Sequence, residues 1–297
     1  MPATRKSASN NQKTVRTAPV PEDTACAAPR GVLIAIGGRE QKQVDADMAD
    51  ELILQRFVRE MPEGGMVLVL PIASEVPEEV AADYVKVFAE LGVARVEVLD
   101  INSRQEADDE NSLRLINEAA GVMFTGGDQL RLTALLGGTR FQRRLKERYA
   151  NERFVIAGTS AGAAAMSTPM IYQGRNNAGI LKDEIHVTTG LEFLHDVAID
   201  THFIARGRIV RMAQIIATNP ACIGLGLEED TGVVVTEGRE LEVIGSGLVV
   251  VLDGMGVTDT DIHIVEPGKA FSIRDLRLHL LSAGQRYTLP VMAQMHA

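Results

Sequence analysis

The chain has 297 residues, 45% of them hydrophobic and 4% aromatic, and its formal net charge is −10. Such an acidic chain lacks the basic face that nucleic acids and anionic membranes require, so neither is expected as a partner. The sequence contains no apolar run of the roughly 20 residues that span a bilayer, so we expect no membrane-spanning helix.

The first 30 residues differ in composition from the rest of the chain. Residues 1–30 are rich in Ala, Thr, Ser and Pro and lack the apolar middle of a secretory signal. We therefore expect a flexible N-terminal extension and a cytoplasmic protein. Residues 31–297 show no internal repeat or linker and are expected to form one domain. Cys26 and Cys222 are too few for a disulfide framework and are expected to be reduced thiols.

From residue 32 onwards, apolar runs alternate with segments of helical periodicity. This alternation predicts an α/β fold with a mostly parallel sheet that helices flank. The carboxyl ends of parallel strands meet at one edge, where active sites of such sheets lie. Gly37-Gly38, Gly126-Gly127 and Ser160 follow strands and should share this edge. The predicted strands are 32–36, 66–70, 96–99, 122–125 and the run from 154, and the predicted helices lie near 45–61, 78–91 and 111–119.

The pattern changes after residue 220, where short apolar runs are separated by turns and no helical segment intervenes. Consecutive short strands of this kind pair most easily as antiparallel neighbours. We expect them to extend the same sheet rather than to form a separate domain. The runs are 224–227, 233–235, 241–244, 248–252, 262–265 and 276–281.

The segment Gly158-Thr159-Ser160-Ala161-Gly162 turns from a buried strand into a helix. A corner of the form G-x-S-x-G exposes its serine hydroxyl to a substrate carbonyl, and the small flanking residues permit the tight turn. The amide of Ala161, at the start of the helix, can donate to a developing oxyanion. The alternative is a serine that only caps the helix.

A serine nucleophile needs a neighbouring base. His202 is the best candidate, because an apolar strand end delivers it to a loop together with Asp200. The alternative is a buried, hydrogen-bonded histidine without a catalytic role. His186 and His195 follow the helix after Ser160, and the sequence pattern does not exclude either of them as the base.

The third member of a triad orients the imidazole and stabilises its charged form. Glu228, Glu229 and Asp230 follow the apolar run 224–227. We favour Glu229, and Glu228 remains the alternative. The order Ser, His, Glu differs from the Ser, acid, His order of the α/β-hydrolases.

Four stretches together resemble the cyanophycinases, which belong to a serine-peptidase family that also contains aspartyl dipeptidases. The resemblance covers roughly residues 31 to 290. It implies a flavodoxin-like or class I glutamine amidotransferase-like sheet and a homodimer. It also implies hydrolysis of cyanophycin, a poly-aspartate whose side-chain carboxyls carry arginine, to β-aspartyl-arginine dipeptides. The stretches are Phe124-Thr125-Gly126-Gly127-Asp128-Gln129, Gly158-Thr159-Ser160-Ala161-Gly162, Asp200-Thr201-His202-Phe203 and Glu228-Glu229-Asp230-Thr231.

The resemblance also implies roles for individual residues. Ser160 is the expected nucleophile, His202 the general base and acid, and Glu229 the residue that orients His202. The amides of Gly127 and Ala161 are the expected oxyanion hole. The expected substrate-binding residues are Gln129, Asp200, Thr201, Arg206, Arg208 and Arg211.

The chemistry of these residue types fits such a substrate. Arginine forks suit carboxylates, and Asp200 is a candidate acceptor for the substrate guanidinium. A solvated helix start is the alternative interpretation of the three arginines. Thr201 stands where cyanophycinases often have Gln, which predicts a changed substrate contact or pocket depth. The sequence offers no convincing metal-ligand cluster, and the implied reaction needs no cofactor.

Two other functions remain open from the sequence. An aspartyl dipeptidase on the same fold would cleave small Asp-X peptides, although the arginines after His202 favour the polymer. A catalytically silent homologue would only bind polymer or peptide. A serine-directed covalent probe that fails to label Ser160 would favour the silent homologue.

Overall fold

The computed structural model describes residues 28–43, 53–174 and 181–290. Most of the predicted N-terminal extension, the first half of the predicted helix 45–61 and Cys26 lie outside these ranges. Strands and helices alternate through the first part of the chain, as predicted. These elements are β1 (Val32–Ile36), α1 (Ile53–Glu60), β2 (Met66–Leu70), α2 (Pro77–Glu90), β3 (Val96–Val98), α3 (Arg104–Ala107), α4 (Glu110–Glu118), β4 (Ala119–Phe124), α5 (Gln129–Leu136), α6 (Arg140–Asn151), β5 (Val155–Thr159) and α7 (Ala161–Ala164).

The second part of the chain consists mainly of short strands with one long helix. A 3-10 turn covers Gly254–Gly256. The elements are β6 (Ser167–Thr168), β7 (Met170–Gly174), β8 (Ile185–Thr188), β9 (Leu194–His195), β10 (Val197–Thr201), α8 (Ile209–Thr218), β11 (Ile223–Leu227), β12 (Thr231–Thr236), β13 (Glu240–Gly245), β14 (Val249–Asp253), β15 (Asp259–Thr260), β16 (Ile273–Arg274), β17 (Arg277–Leu281) and β18 (Arg286–Thr288).

The central sheet has eight strands in the order β18-β13-β12-β1-β5-β4-β2-β3. The five strands from β1 to β3 in this order are parallel, while β12, β13 and β18 add to them as antiparallel neighbours. The predicted α/β fold with a mostly parallel sheet and an antiparallel C-terminal extension is therefore confirmed.

The inner strands β1, β2, β4 and β5 of this sheet are mainly apolar because both of their faces are covered. In β1, Leu33 and Ala35 join one hydrophobic core, while Ile34 and Ile36 join another on the opposite face, and all four are fully buried. Helices α1 and α2 cover the second face, and α4, α5 and α6 contribute to the first core. Continuous apolar runs are typical of such doubly covered parallel strands.

The sequence did not predict a second sheet, which has six strands in the order β17-β14-β11-β10-β6-β9. Strands β11, β14 and β17 therefore do not extend the first sheet. Strand β10 pairs in parallel with β11, and α8 packs on these strands through a third core. The chain crosses between the two sheets in the loop from β11 to β12, so the ends of both sheets meet there.

One predicted strand, 262–265, is wrong. The carbonyl of Asp261 accepts the amides of Ile264 and Val265 at 2.8 and 3.0 Å, which closes a turn. Ile262 is buried but Ile264 is 74% exposed, so the run lacks the burial that would favour a strand. Within the described ranges, no helix is both long and apolar enough to cross a lipid bilayer.

Candidate active site

Ser160 lies at a strained corner between β5 and α7. Its φ and ψ are 49° and −108°, a combination that residues with a side chain rarely adopt and that functional sites often retain. The Ser160 amide donates to the Ile36 carbonyl at the end of β1, over 2.9 Å. An added Cβ at Gly158 would lie 2.5 Å from the Gly162 carbonyl carbon. The small residues are therefore required by the close approach of the strand to the helix.

Ser160, His202 and Glu229 form one hydrogen-bonded chain. The Ser160 Oγ lies 3.2 Å from His202 Nε2, and His202 Nδ1 lies 2.7 Å from Glu229 Oε1. Glu228 points elsewhere, because its carboxylate accepts two backbone amides of the loop after His202, at 2.5 and 3.0 Å. The structure thus places the favoured glutamate, and not its neighbour, against the imidazole.

The turn Gly37-Gly38 holds these residues together at the junction of the two sheets. His202 follows β10 in the second sheet, and its amide donates to the Gly37 carbonyl at 3.0 Å. The Asp230 amide donates to the Gly38 carbonyl at 2.8 Å. An added Cβ at Gly38 would lie 2.4 Å from His202 Cε1, and Gly38 has a φ of 106°. The backbone of the turn after β1 therefore lies directly beneath the imidazole.

We predict that Gly38→Ala lowers the kcat/KM of the reaction at this site about tenfold to 100-fold. The new methyl group must displace the imidazole, and a misplacement near 1 Å can cost about 100-fold in rate. Gly92→Ala is the matched control, because Gly92 also has a positive φ of 82° but nothing lies within 4 Å of its Cβ position. A Gly38→Ala enzyme as active as the control would show that the close approach of Gly38 to the imidazole does not position His202.

Glu229 has a second partner besides the imidazole. Arg39 Nη1 lies 3.2 Å from Glu229 Oε2. The hydrogen bond from His202, followed by the charge of Arg39, holds the pKa of the Glu229 carboxyl below its usual value. The carboxylate therefore stays ionised throughout the neutral range and can stabilise a charged imidazolium.

Gly127 and Ala161 border the hydroxyl of Ser160 in one cavity. Gly127 has a φ of 141°, and an added Cβ there would lie 1.9 Å from the Ala73 carbonyl oxygen. Only glycine fits this approach of two backbones. Ala161 is the first residue of α7, directly after Ser160. Both backbone segments are thus fixed beside the hydroxyl.

The cavity has a volume of about 300 Å³. Each substrate-binding residue expected from the sequence lines it. Strand β7 contributes three further residues that the sequence analysis did not single out. The lining residues are Gly127, Gln129, Ser160, Ala161, Ala164, Ile171, Tyr172, Gln173, Asp200, Thr201, Arg206, Arg208 and Arg211.

Asp200 is 2% exposed and its carboxylate is already occupied. Both oxygens accept from Arg211, and one also accepts from Arg208 at 2.8 Å and from the Thr201 amide at 2.9 Å. Burial lowers the pKa of Arg208, and the charge of Asp200 opposes this. Asp200 thus holds two arginines at the cavity, and each of its oxygens already accepts a hydrogen bond from them. This arrangement does not favour the role of guanidinium acceptor that the sequence suggested for it.

Glu40 is a buried carboxyl beside the site that the sequence analysis missed. Its Oε2 accepts from the hydroxyl of Thr159 at 2.6 Å, and its Oε1 accepts from the hydroxyl of Tyr84. Burial and the charge of Glu40 raise the pKa of Tyr84 well above its usual value. Glu40 therefore ties the loop after β1 to the residue before Ser160. Glu40 stands alone after the glycine pair with no motif around it, so the sequence gives no sign of these contacts.

No group of three or more histidine, cysteine, aspartate or glutamate side chains in ranges 28–43, 53–174 and 181–290 could hold a metal ion. Cys222 is a free, buried thiol, and burial raises its pKa to about 12.

The sequence profile of Peptidase family S51 matches residues 33–244, so the chain belongs to this family of peptidases. The resemblance drawn from the four sequence stretches is thereby confirmed. A cyanophycinase from Synechococcus elongatus is 34% identical over 270 residues, which cover 90% of this chain and 82% of that protein.

Two further relatives extend this similarity. A cyanophycinase from Trichormus variabilis is 32% identical over 262 residues, which cover 88% of this chain and 87% of the relative. One from Geminocystis herdmanii is 33% identical over 261 residues, with 87% and 93% coverage. A crystal structure of a peptidase from an acI-B1 Actinobacterium superposes with a TM-score of 0.61 at 18% identity, covering 88% of this chain and 98% of that chain. This last likeness supports the fold alone.

Proposed function

We propose that this peptidase is a serine-type cyanophycinase that hydrolyses multi-L-arginyl-poly-L-aspartate to β-aspartyl-arginine dipeptides. The observation that carries the proposal is the chain of hydrogen bonds from Ser160 through His202 to Glu229. Ser160, at one end of this chain, lines a cavity that three arginines also line. The similarity to three cyanophycinases along most of their length supports the choice of substrate.

In the first step, Ser160 Oγ attacks the α-peptide carbonyl carbon of a backbone aspartate while His202 Nε2 accepts the hydroxyl proton. Glu229 stabilises the imidazolium that forms. The carbonyl oxygen becomes an oxyanion that the amides of Gly127 and Ala161 hold, an interaction typically worth about 3 kcal/mol per donor. His202 then passes its proton to the leaving amine, and the peptide bond breaks.

In the second step, water attacks the ester that joins the substrate to Ser160. His202 accepts a proton from this water and returns one to the serine oxygen, so the free enzyme is regenerated. The same two backbone amides hold the second oxyanion. One water is consumed for each peptide bond that is hydrolysed, and the chain's own side chains perform every proton transfer.

The arginines supply binding for the substrate's carboxylates. Arg208 and Arg211 are held by Asp200, and Arg206 is exposed at the cavity. The buried Nε–H group of Arg208 has no hydrogen-bond partner among the described residues, so Asp200 does not satisfy every donor of this guanidinium. Planar guanidinium groups bind carboxylates in defined geometry.

Incubation of the purified protein with cyanophycin, followed by mass analysis of the soluble products, tests this function. We expect β-aspartyl-arginine as the main product and little hydrolysis of Asp-Leu at equal enzyme concentration. Rapid cleavage of Asp-Leu with no release from the polymer would instead identify an aspartyl dipeptidase. Binding of the polymer with no product from either substrate would identify a silent homologue.

Three further properties belong to the same proposal. We propose a homodimer, a cytoplasmic location, and one domain that spans residues 31–297. The homodimer is what the resemblance to the cyanophycinases implies. Light scattering combined with gel filtration tests it, and a mass equal to one chain would contradict it.

We expect Arg39→Gln to move the acid limb of the pH profile of kcat/KM upwards. The hydrogen bond from His202 and the charge of Arg39 lower the pKa of the Glu229 carboxyl. Without the Arg39 charge this carboxyl takes up a proton at a higher pH, and turnover requires its ionised form. Because Arg39 is 74% exposed, its charge is worth at most about 1 kcal/mol, so the limb should shift by roughly 0.2 to 0.5 pH unit.

The profile should be measured at low and at high salt, because screening weakens an exposed ion pair. Lys86→Gln is the matched control: it removes the same charge from an exposed pair with Glu90 on α2. A shift of Arg39→Gln no larger than that of Lys86→Gln, or a shift towards lower pH, would contradict the role assigned to Arg39.

A further inference from the structure

The cavity has cationic residues but no free acid to receive the cationic end of an arginine. Asp200 is the one acidic residue among the described residues that line it, and both of its oxygens are bound by Arg208 and Arg211. A substrate guanidinium is repelled by these arginines. If the polymer's arginine enters this cavity, neutral groups must recognise its guanidinium.

Tyr172 and Gln173 are the neutral groups that suit this task. Both line the cavity and lie on β7, where nothing so far has assigned them a role. The face of a tyrosine ring attracts a guanidinium, and the planar group stacks on it. The side-chain carbonyl of a glutamine accepts a hydrogen bond from the same planar group.

The surrounding contacts hold this part of β7 in place. The carbonyl of Ile171 accepts from Gln129 Nε2 at 2.9 Å, which ties β7 to the start of α5. β7 also packs against β10, which carries Asp200. The Tyr172 ring is half-buried against the main core, and its centroid lies 5.9 Å from that of the exposed His186 ring. An aromatic ring fixed in this way loses little conformational entropy when a ligand stacks on it.

We propose that Tyr172 and Gln173 form a subsite for the guanidinium of the substrate arginine, while Arg206, Arg208 and Arg211 hold its α-carboxylate. This inference rests on the proposed function. It divides the recognition of a zwitterionic group between two sets of residues: cations for its anionic end, and a π face with an amide for its cationic end. Tyr172 and Gln173 then make the enzyme prefer a polymer that carries arginine over one that carries a neutral side chain.

The test compares two polymers in which only the cationic group differs. One is cyanophycin, and the other carries citrulline, whose ureido group has nearly the shape of a guanidinium but no charge. kcat/KM is measured on both for the wild type, Tyr172→Phe, Tyr172→Leu and Gln173→Leu. Tyr287→Leu is the matched control, because Tyr287 is half-buried on β18 with His279 at 5.6 Å and does not line the cavity.

The wild type should prefer the arginine polymer. Tyr172→Leu should lower kcat/KM on this polymer about tenfold and change it less than about twofold on the citrulline polymer. Gln173→Leu should reduce the preference about fivefold. Tyr172→Phe, which keeps the ring, and the control should leave the preference within about twofold of the wild type.

Equal losses on both polymers for Tyr172→Leu, or an unchanged preference in both leucine variants, would overturn the subsite. If Tyr172→Leu does not fold, Gln173→Leu decides the matter, because Gln173 is exposed and its replacement should be tolerated. A wild type that releases no dipeptide from either polymer would refute the proposed function. A wild type that releases dipeptide, with variants of unchanged preference, would refute the subsite only.

Discussion

Replacing Ser160 with alanine should lower kcat for cyanophycin hydrolysis by at least about 1,000-fold while the fold and polymer binding are retained. The Ser160 hydroxyl is the one that lies against His202, whereas the hydroxyl of Thr159 beside it donates to Glu40. Loss of a triad nucleophile has effects of this size in serine peptidases. The oxyanion hole and the cavity remain intact, so a small residual rate above that of water is expected. Single-turnover product release and polymer sedimentation measure the two properties separately.

Ser282→Ala is the control for this substitution. Ser282 is exposed in the turn between β17 and β18, so its loss should change neither rate nor binding. Near wild-type hydrolysis by the Ser160→Ala variant would show that another group attacks the substrate. Loss of binding together with loss of rate would instead show that the substitution had disturbed the cavity.

Replacing Asp200 with alanine should lower the free energy of unfolding by about 3 kcal/mol. Arg208 and Arg211 are only 11% and 8% exposed, and without Asp200 their charges lie close together and uncompensated. Breaking a buried ion pair by removal of one partner typically costs about 3–5 kcal/mol. The low end of the range applies because the cavity admits water to the arginines. Urea unfolding followed by circular dichroism measures the change.

Asp259→Ala provides the comparison, because Asp259 forms an exposed ion pair with Arg274 at 3.9 Å. An exposed pair of this kind should contribute less than about 1 kcal/mol. Similar midpoints for the two variants would mean that Asp200 does not stabilise the arginines. In that case the cavity's charge arrangement would need another explanation.

The edge of the sheet that holds the site could be predicted from local sequence. Strands such as β1 and β5 are covered on both faces, so nearly every residue is apolar and the runs are distinct. The residue after each run then falls at the carboxyl edge of a parallel sheet. The sequence alone therefore places Ser160 and the turn Gly37-Gly38 at this edge.

The pairing of later strands could not be predicted. β11 and β12 are both short and buried, yet one belongs to the second sheet and the other to the first. Their residues are equally compatible with either sheet, and the choice depends on contacts between distant segments. The loop between them bends at Asp230, whose φ is 48°. This bend directs Glu229 to the imidazole and Glu228 away from it, a difference that two adjacent glutamates do not reveal in the sequence.

Residues that act through tertiary contacts were also beyond sequence reasoning. Glu40 contacts Thr159 across 119 positions of the chain, and Tyr172 reaches the cavity from a two-stranded hairpin. Each is an ordinary residue type without a motif around it. The sequence also suggested Asp200 as an acceptor for the substrate guanidinium. It could not show that Arg208 and Arg211 already bind this carboxylate, because those contacts form only in the folded chain.

The most direct test of the proposed triad is covalent labelling with a serine-directed fluorophosphonate, followed by peptide mass analysis and an assay of the same sample on cyanophycin. We predict one label per chain, located on Ser160, with activity lost in proportion to labelling and with labelling abolished in a His202→Ala variant. An enzyme that hydrolyses cyanophycin fully while Ser160 is labelled, or that loses activity through a label elsewhere, would contradict the account.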